Sequence, residues 1–412
     1  MKLLYVADAK FPALAANTVQ VMKMCAAFAA AGAEVTLLAR PEGVELGRIA
    51  GVGAWPPGIA DYYGVPQSFR LTRARRLVPG RSKRDTWNAV FSISSLVWLL
   101  RRRKDFDVLY TRLPLLALLA ALCKIPVVYE AHQLLARDDR WSVKLSQALV
   151  KAQSRSNFLG TVVISHSLKT FYEQEGFDAT KIIVAHDAVD LERFQPPLSQ
   201  VEARRSVREF PRNLPQEAVN QADLLDDTKI VGYVGHLYSG RGIPELLTCA
   251  ERHPEWTFLF VGGNEGDLKT HCSTVEQRGI KNAHFMGFVP NAQLAPFLFA
   301  CDVLTMPYTS GTGSVQFMSP MKMFEYMATG RAIAAADWPP LREVLRHEHN
   351  ALLFAPDNID TLDAALARLM SDETLRLRLA AQAMQDVQQY TWANRARTIV
   401  EWIESKLKAH QF

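Results

Sequence analysis

Cysteine is scarce and poorly placed for either of its usual structural tasks. The 412 residues hold five (Cys25, Cys123, Cys249, Cys272 and Cys301), scattered and without a C-x-x-C pair. Neither a disulfide framework nor a zinc site is expected, and a reducing, cytoplasmic setting is the simplest reading. Long apolar runs are missing too. The longest, Leu113 to Cys123, is too short to span a bilayer, and the N-terminus reaches Asp8 before any stretch of signal-peptide length. No short-period repeat or low-complexity tract argues for a solenoid. No strand is followed by G-x-G-x-x-G, and Gly235 to Gly240 lacks its spacing, which speaks against a dehydrogenase. No pair of carboxylates is placed to act as acid and nucleophile.

What is present is ample material for two cores. The chain is longer than a single hydrophobic core usually grows, and it is 49% hydrophobic and 22% charged, so two domains of about 200 residues are expected. The formal charge of +5 suits an anionic ligand or lipid surface without requiring either.

Short apolar runs alternate with helix-period segments, the pattern of a parallel sheet covered on both faces. The first half offers strands at Leu3 to Ala7, Val35 to Ala39, Val108 to Tyr110, Val127 to Tyr129, Val162 to Ile164 and Ile182 to Val184. A helix from Thr18 to Ala31 carries an apolar stripe of Val21, Met24, Cys25 and Phe28, with Gly32 as its stop. A proline-rich stretch with Pro196, Pro197, Pro211 and Pro215 reads as a linker. The pattern then restarts at Ile230 to Val234, Thr257 to Val261, His284 to Met286, Val303 to Met306 and Ala332 to Ala335, with another short strand after His349. The expected architecture is α/β, two facing Rossmann-like domains with a deep cleft between the carboxyl ends of their sheets. Their expected limits are 1–191 and 226–389, with a linker at 192–225 and a last helix at 392–408.

The strongest chemical signal is Ser319-Pro320-Met321-Lys322-Met323-Phe324-Glu325. Ser then Pro predicts an N-cap and first helical position, and the free amides of such a helix end can hold a diphosphate. Lys322 in the first turn and Glu325 three residues on suit a phosphate and a ribose diol; the competing reading is a surface Lys-Glu pair. Gly311-Thr312-Gly313-Ser314 can offer backbone amides. His132, at a strand end, is either a site residue or a satisfied core histidine. His347-Glu348-His349 reads as a solvated turn, and Asp105-Phe106-Asp107 as a strand start. Both lack the geometry of a metal site, and no metal is expected.

Arg70, Arg73, Arg75, Arg76, Arg81, Lys83 and Arg84, with Arg101 to Lys104 and the nearby Trp87 and Trp98, make part of the first half markedly basic. The readings are a solvated face or a surface that rests on anionic lipid, which would place the protein peripherally on the inner membrane face. No nucleic-acid-binding module accompanies the charge, so nucleic acid is not an expected partner.

Ser319 to Asp337, SPMKMFEYMATGRAIAAAD, resembles the signature helix of family 4 of the retaining glycosyltransferases, and further segments match in order. Val231 to Leu247 resembles that family's strand, phosphate loop and helix; Phe260 to Gly263 and Phe285 to Pro290 its next two strand ends; Val128 to His132 the strand end bearing a donor-contacting histidine; Ile183 to Phe194 the domain exit. The resemblance covers roughly the whole chain and implies the GT-B fold, with the last helix packing back on the first domain. It implies a nucleotide-sugar donor, UDP- or GDP-linked, bound mainly by the second domain, and no cofactor. Transfer would retain configuration, onto an acceptor held mainly by the first domain, a lipid-linked or polysaccharide-precursor glycan. It assigns His132, Arg241 and Lys322 to catalysis. Donor binding falls to His236, Gly263, Gly287, Phe288, Val289, Gly313, Ser314 and Glu325, and the acceptor or sugar loop to Ala16 and Asn17. The chain departs from the family where His236 replaces an arginine, Arg241 a lysine, Phe317 a glutamate, and Ala15-Ala16 a glycine pair. Two alternatives remain open: a nucleotide-sugar epimerase of the same architecture, and a non-catalytic nucleotide-sugar-binding protein.

Overall fold

The computed structural model describes residues 1–9, 16–40, 55, 58–73, 84–135, 139–210 and 228–410. The chain divides into two compact units, one of Met1–Asp187 with Trp392–Phe412, the other of Ala188–Thr391.

The first unit is built on seven parallel strands: β1 (Lys2–Val6), β2 (Glu34–Ala39), β3 (Arg70–Arg73), β4 (Val108–Thr111), β5 (Val127–Ala131), β6 (Phe158–Val163) and β7 (Ile182–Val184). Their order is β3-β2-β1-β4-β5-β6-β7. β1, β4, β5 and β6 are buried almost throughout, which is why they read as unbroken apolar runs rather than alternating ones. The edge strand β3 escaped the sequence reading because its residues, Arg-Leu-Thr-Arg, are half charged, and Arg70 spends its charge on Glu34 of β2 at 2.8 Å. The Trp392–His410 helix packs against the Ala16–Ala30 helix. Asp107 accepts a 2.6 Å hydrogen bond from the backbone of Lys2, so the Asp105 to Asp107 segment starts a strand.

The second unit repeats the design with β8 (Lys229–Val234), β9 (Trp256–Val261), β10 (Ala283–Phe285), β11 (Val303–Met306), β12 (Ala332–Ala336) and β13 (Leu352–Phe354). All are parallel, in the order β10-β9-β8-β11-β12-β13. In each sheet the order reverses beside its first strand, and ligands of such sheets bind outside the carboxyl ends at that reversal.

The segment expected to be a linker is structured in its described part. Phe194, Ala203 and Val207 are core residues of the second unit, and the Gln200–Glu209 helix, closed by a Ser199/Glu202 capping box, packs on the Ala295–Phe299 helix. Proline density misled here because the prolines flank this helix; residues 211–227 lie outside the described residues.

Candidate functional site

At the reversal point of the second unit, the loops after β8 and β11 are laced together. Thr312 Oγ1 donates to Gly240 O at 2.6 Å and Thr309 N to the same oxygen at 3.1 Å. Gly235, Gly240 and Gly242 all have positive φ, and a Cβ on any of them would overlap a neighbour: Lys322 Nζ, Thr312 and Pro307 respectively. The glycine spacing is therefore set by close approach of chain segments. Gly235 N donates to Val261 O and Gly262 N to Gly287 O, so the ends of β8, β9 and β10 form one row. Gly263, another positive-φ residue, leaves a Cβ 2.7 Å from Leu237.

The Met321–Ala328 helix is pinned to this edge by Tyr326, whose Oη accepts from Val234 N at 2.8 Å. Its start differs from the expectation. Pro320, in extended conformation, occupies the cap position, no side chain caps the helix, and Lys322 falls at the second helical residue. A proline that keeps ψ at 124° cannot be the first helical residue. Lys322 Nζ is buried, without a hydrogen-bond partner among the described residues, and lies 3.8 Å from the centre of the Tyr233 ring. Burial pushes this ammonium well below the ordinary lysine range and Arg241 adds to the effect, while Glu325 opposes it. Arg241 is clamped between the rings of Tyr238 (4.4 Å) and Tyr308 (5.0 Å), and its Nε has no hydrogen-bond partner among the described residues. His236 completes the group. Burial, then Lys322 and Arg241, lower its pKa and favour the neutral ring. Two basic side chains and an imidazole thus gather at this edge, with Glu325 acting on Lys322 and Asp267 on His236 only as the weaker, opposing influences.

The surface Lys-Glu pair considered above is not what forms. Glu325 is buried and its Oε1 accepts from Asn291 Nδ2 at 2.9 Å and from Arg193 Nη1 at 3.1 Å; Arg193 also donates to Asn291 O. Neither partner was singled out from sequence, since Asn291 sits in an unremarkable Pro-Asn-Ala-Gln loop and Arg193 in the expected domain exit. Phe288 is partly exposed, whereas Val289 belongs to the core, so of these two donor candidates only Phe288 presents its side chain. The alternation of a chain leaving a strand places one outward and the next inward. Gly313 is open and Ser314 half-buried in the loop after β11, and Phe317 is buried.

In the first unit, Asn17 is exposed near the start of the Ala16–Ala30 helix. The side chain of Ala16 and the 10–15 loop lie outside the described residues. His132 follows β5 with its Nε2 3.1 Å from Glu130 Oε1. The charged network behind it was missed in the sequence, although one glutamate in the otherwise apolar run Val-Val-Tyr-Glu-Ala was a legible signal. Glu130 is fully buried and takes Tyr5 Oη at 2.7 Å, Gln20 Nε2 at 3.2 Å and Arg395 Nη2 at 2.9 Å. Burial raises its pKa, yet His132 and Arg395 outweigh that and hold the carboxyl well below its usual range.

His347 to His349 form a turn in which His347 Nδ1 accepts from Leu353 N and Glu348 has positive φ. Among the described residues no cluster of three metal-ligating side chains occurs, and no helix is long and apolar enough to cross a membrane.

Comparison with known proteins matches both halves. Residues 216–386 fit the family of "Glycosyl transferases group 1", and residues 18–193 fit "Glycosyltransferase Family 4". A D-inositol 3-phosphate glycosyltransferase of Corynebacterium urealyticum is 28% identical over 56% of this chain and 53% of its own length. The N,N'-diacetylbacillosaminyl-diphospho-undecaprenol alpha-1,3-N-acetylgalactosaminyltransferase of Campylobacter jejuni is 25% identical over 56% of each chain. The chain thus spans about half the length of these curated relatives. Among solved structures, Anabaena HepE in complex with UDP superposes with a TM-score of 0.72 at 16% identity, covering 98% of this chain and 100% of that one. With both halves matched and the two parallel-sheet units superposing on such structures, the chain belongs to glycosyltransferase family 4, the group 1 glycosyltransferases, and has the GT-B fold.

Proposed function

We propose that the protein is a retaining glycosyltransferase that moves a sugar from a nucleoside diphosphate donor to an acceptor hydroxyl without a metal. The observation that carries this reading is the buried Lys322 Nζ, without a hydrogen-bond partner among the described residues, beside Arg241 and glycine-lined strand ends at the sheet reversal of the second unit. A cation kept from solvent and left without a partner in a protein interior is costly unless an anion completes it. A diphosphate fits, and the charge that develops on it as the sugar leaves is what these groups would stabilise. Glu325, one turn further along the helix, holds the ribose hydroxyls, Phe288 lies by the base, and Gly313 and Ser314 offer amides to the phosphates. His132 contacts the transferring sugar from the first unit, which also holds the acceptor through the loop ending at Ala16 and Asn17.

The UDP complex of HepE supports a uridine donor. The name of the Campylobacter jejuni relative, whose substrate is a diphospho-undecaprenol, supports a lipid-linked acceptor. An anionic membrane is the natural place to meet one, with the protein in the cytoplasm and resting on the inner face. Three helices of the first unit expose Ile93, Leu100, Leu122, Trp141 and Val143, with exposed Arg101, Arg103, Lys104, Lys124, Arg140 and Lys144 nearby in sequence. Trp98 contributes less than expected because Arg102 covers its ring at 4.5 Å, and the side chain of Trp87 lies outside the described residues.

The test is titration calorimetry with UDP and GDP on wild type and Glu325→Ala, followed by an assay with the matching nucleotide-sugars. Weakened nucleotide binding in the variant and acceptor-dependent release of nucleoside diphosphate are expected. Unchanged affinity in Glu325→Ala would remove the ribose contact. Sugar isomerisation without any acceptor would point to an epimerase instead.

A further inference from the structure

Glu130 is an expensive residue to bury, and the fold has arranged three hydrogen-bond donors around it. Its Oε2 accepts from Tyr5 Oη, and its Oε1 accepts from both Gln20 Nε2 and Arg395 Nη2. Gln20 has no freedom to turn its amide, since its Oε1 accepts from Arg112 Nη1 at 2.9 Å. Nor has Arg395, which donates through Nε to His186 O at 2.8 Å and lies 3.3 Å from Met24 Sδ through Nη1. Buried ion pairs of this kind are often no more stabilising than apolar filling of the same volume, so stability alone is a weak reason to keep one. The fourth neighbour is different. His132 Nε2 lies 3.1 Å from Glu130 Oε1, close to it but outside hydrogen-bond geometry, and 15% of the His132 side chain is exposed where Glu130 has 0%. One edge of the ring faces a fixed carboxylate, and the residue follows the carboxyl end of β5, the edge at which such sheets bind ligands.

We propose that Glu130, clamped by Arg395 from the C-terminal helix, is the positioning residue of His132. It fixes the imidazole as its Nε2–H tautomer, so that Nδ1 is offered as a lone-pair acceptor to a hydroxyl of the bound sugar. An ionised carboxylate only accepts hydrogen bonds, and a bare ring nitrogen 3.1 Å away would set two lone pairs against each other. A proton on Nε2 turns that repulsion into attraction, and a neutral ring then has its acceptor on the opposite nitrogen. Burial followed by Arg112 keeps the ring from taking a second proton, against the pull of Glu130. His132 is therefore an acceptor toward a donating hydroxyl rather than a cation toward phosphate. The choice of ligand rests on the glycosyl-transfer reading; the tautomer does not.

The experiment uses the full chain with 15N-labelled histidine rings, in long-range proton–nitrogen correlation spectra, the His132 signals being those lost in His132→Gln. The Nε2–H tautomer is expected in the ligand-free wild type. In Glu130→Gln the neutral amide can donate to Nε2, so a shift to Nδ1–H is expected, with kcat falling about 10–100-fold, as when outer-shell partners of an oriented histidine are removed. Arg395→Lys, which keeps the charge, should retain the wild-type tautomer. A wild-type ring found as Nδ1–H or doubly protonated overturns the proposal, as does Nε2–H persisting in a folded Glu130→Gln. If Glu130→Gln does not fold, the wild-type and Arg395→Lys spectra decide. The expected tautomers in a protein that transfers no sugar would leave this assignment standing and defeat the functional reading instead.

Discussion

At the level of single residues, the division of labour between His236 and Lys322 is the sharpest consequence of the second unit's geometry. A neutral imidazole lacks the fixed charge and fork of the arginine usual at that place, so the buried ammonium beside Arg241 must carry more of the diphosphate. Lys322→Ala is expected to lower turnover on the order of a hundredfold or more, and His236→Ala clearly less. Steady-state kinetics showing equal losses, or near-normal turnover in Lys322→Ala, would contradict that assignment. The same lysine predicts a proton linkage. Its pKa is depressed in the empty site and rises when an anion binds, so between the two values binding takes up a proton and affinity increases as pH falls. Below the empty-site value the lysine is charged in both states and the dependence vanishes. Calorimetry in buffers of different ionisation enthalpy, at a pH where the diphosphate is fully ionised, should show proton uptake in wild type and less of it in Lys322→Met.

Among elements, glycines separate strain from site building. Gly242→Ala would force a Cβ into Pro307, 2.6 Å from its Cγ, at a φ of 76°. Gly279 has a φ of 66° but nothing within 4 Å of a Cβ. Both alanine variants should lose roughly 1–2 kcal/mol to the left-handed backbone. Only Gly242→Ala, next to Arg241, should also weaken nucleoside diphosphate binding. Thermal unfolding and titration of the two variants check this, and equal binding by both would show the loop to be indifferent to its packing.

Most of these elements were legible in the chain because a strand buried on both faces leaves an uninterrupted apolar run, as in Val231 to Val234 or Val303 to Met306. What was illegible depended on partners far away in sequence. Nothing local to Arg395 says that it will meet Glu130, 265 residues earlier. Nothing near Glu325 announces Arg193, 132 residues before it. The strand β3 failed for the opposite reason, since an edge position tolerates the charges that a central strand excludes. Val289 turns its side chain into the core, which a resemblance does not foretell because it fixes position along the chain, not the side to which a side chain turns.

For the molecule as a whole, the exposed apolar residues on three helices of the first unit, with their flanking cations, predict surface binding. Sedimentation with vesicles containing anionic lipid should exceed that with neutral vesicles at low salt, and fall as salt screens the charges. Equal sedimentation with both would remove the membrane from the proposal.

The division of the chain also has a consequence for synthesis. The second unit is one continuous stretch, Ala188–Thr391, while the first joins Met1–Asp187 to the Trp392–Phe412 segment that follows it. Domains fold as the ribosome releases them, generally from the N-terminus onward. Here the earlier-made sheet must wait with Glu130 lacking the guanidinium that pairs with it until Arg395 has been made. An unpaired buried carboxylate costs about 3–5 kcal/mol. The half that is translated first is therefore the half that closes last, and nascent chains stalled before Trp392 should show a protease-resistant Ala188–Thr391 region only once it has left the exit tunnel, beside a first half that is still readily cut.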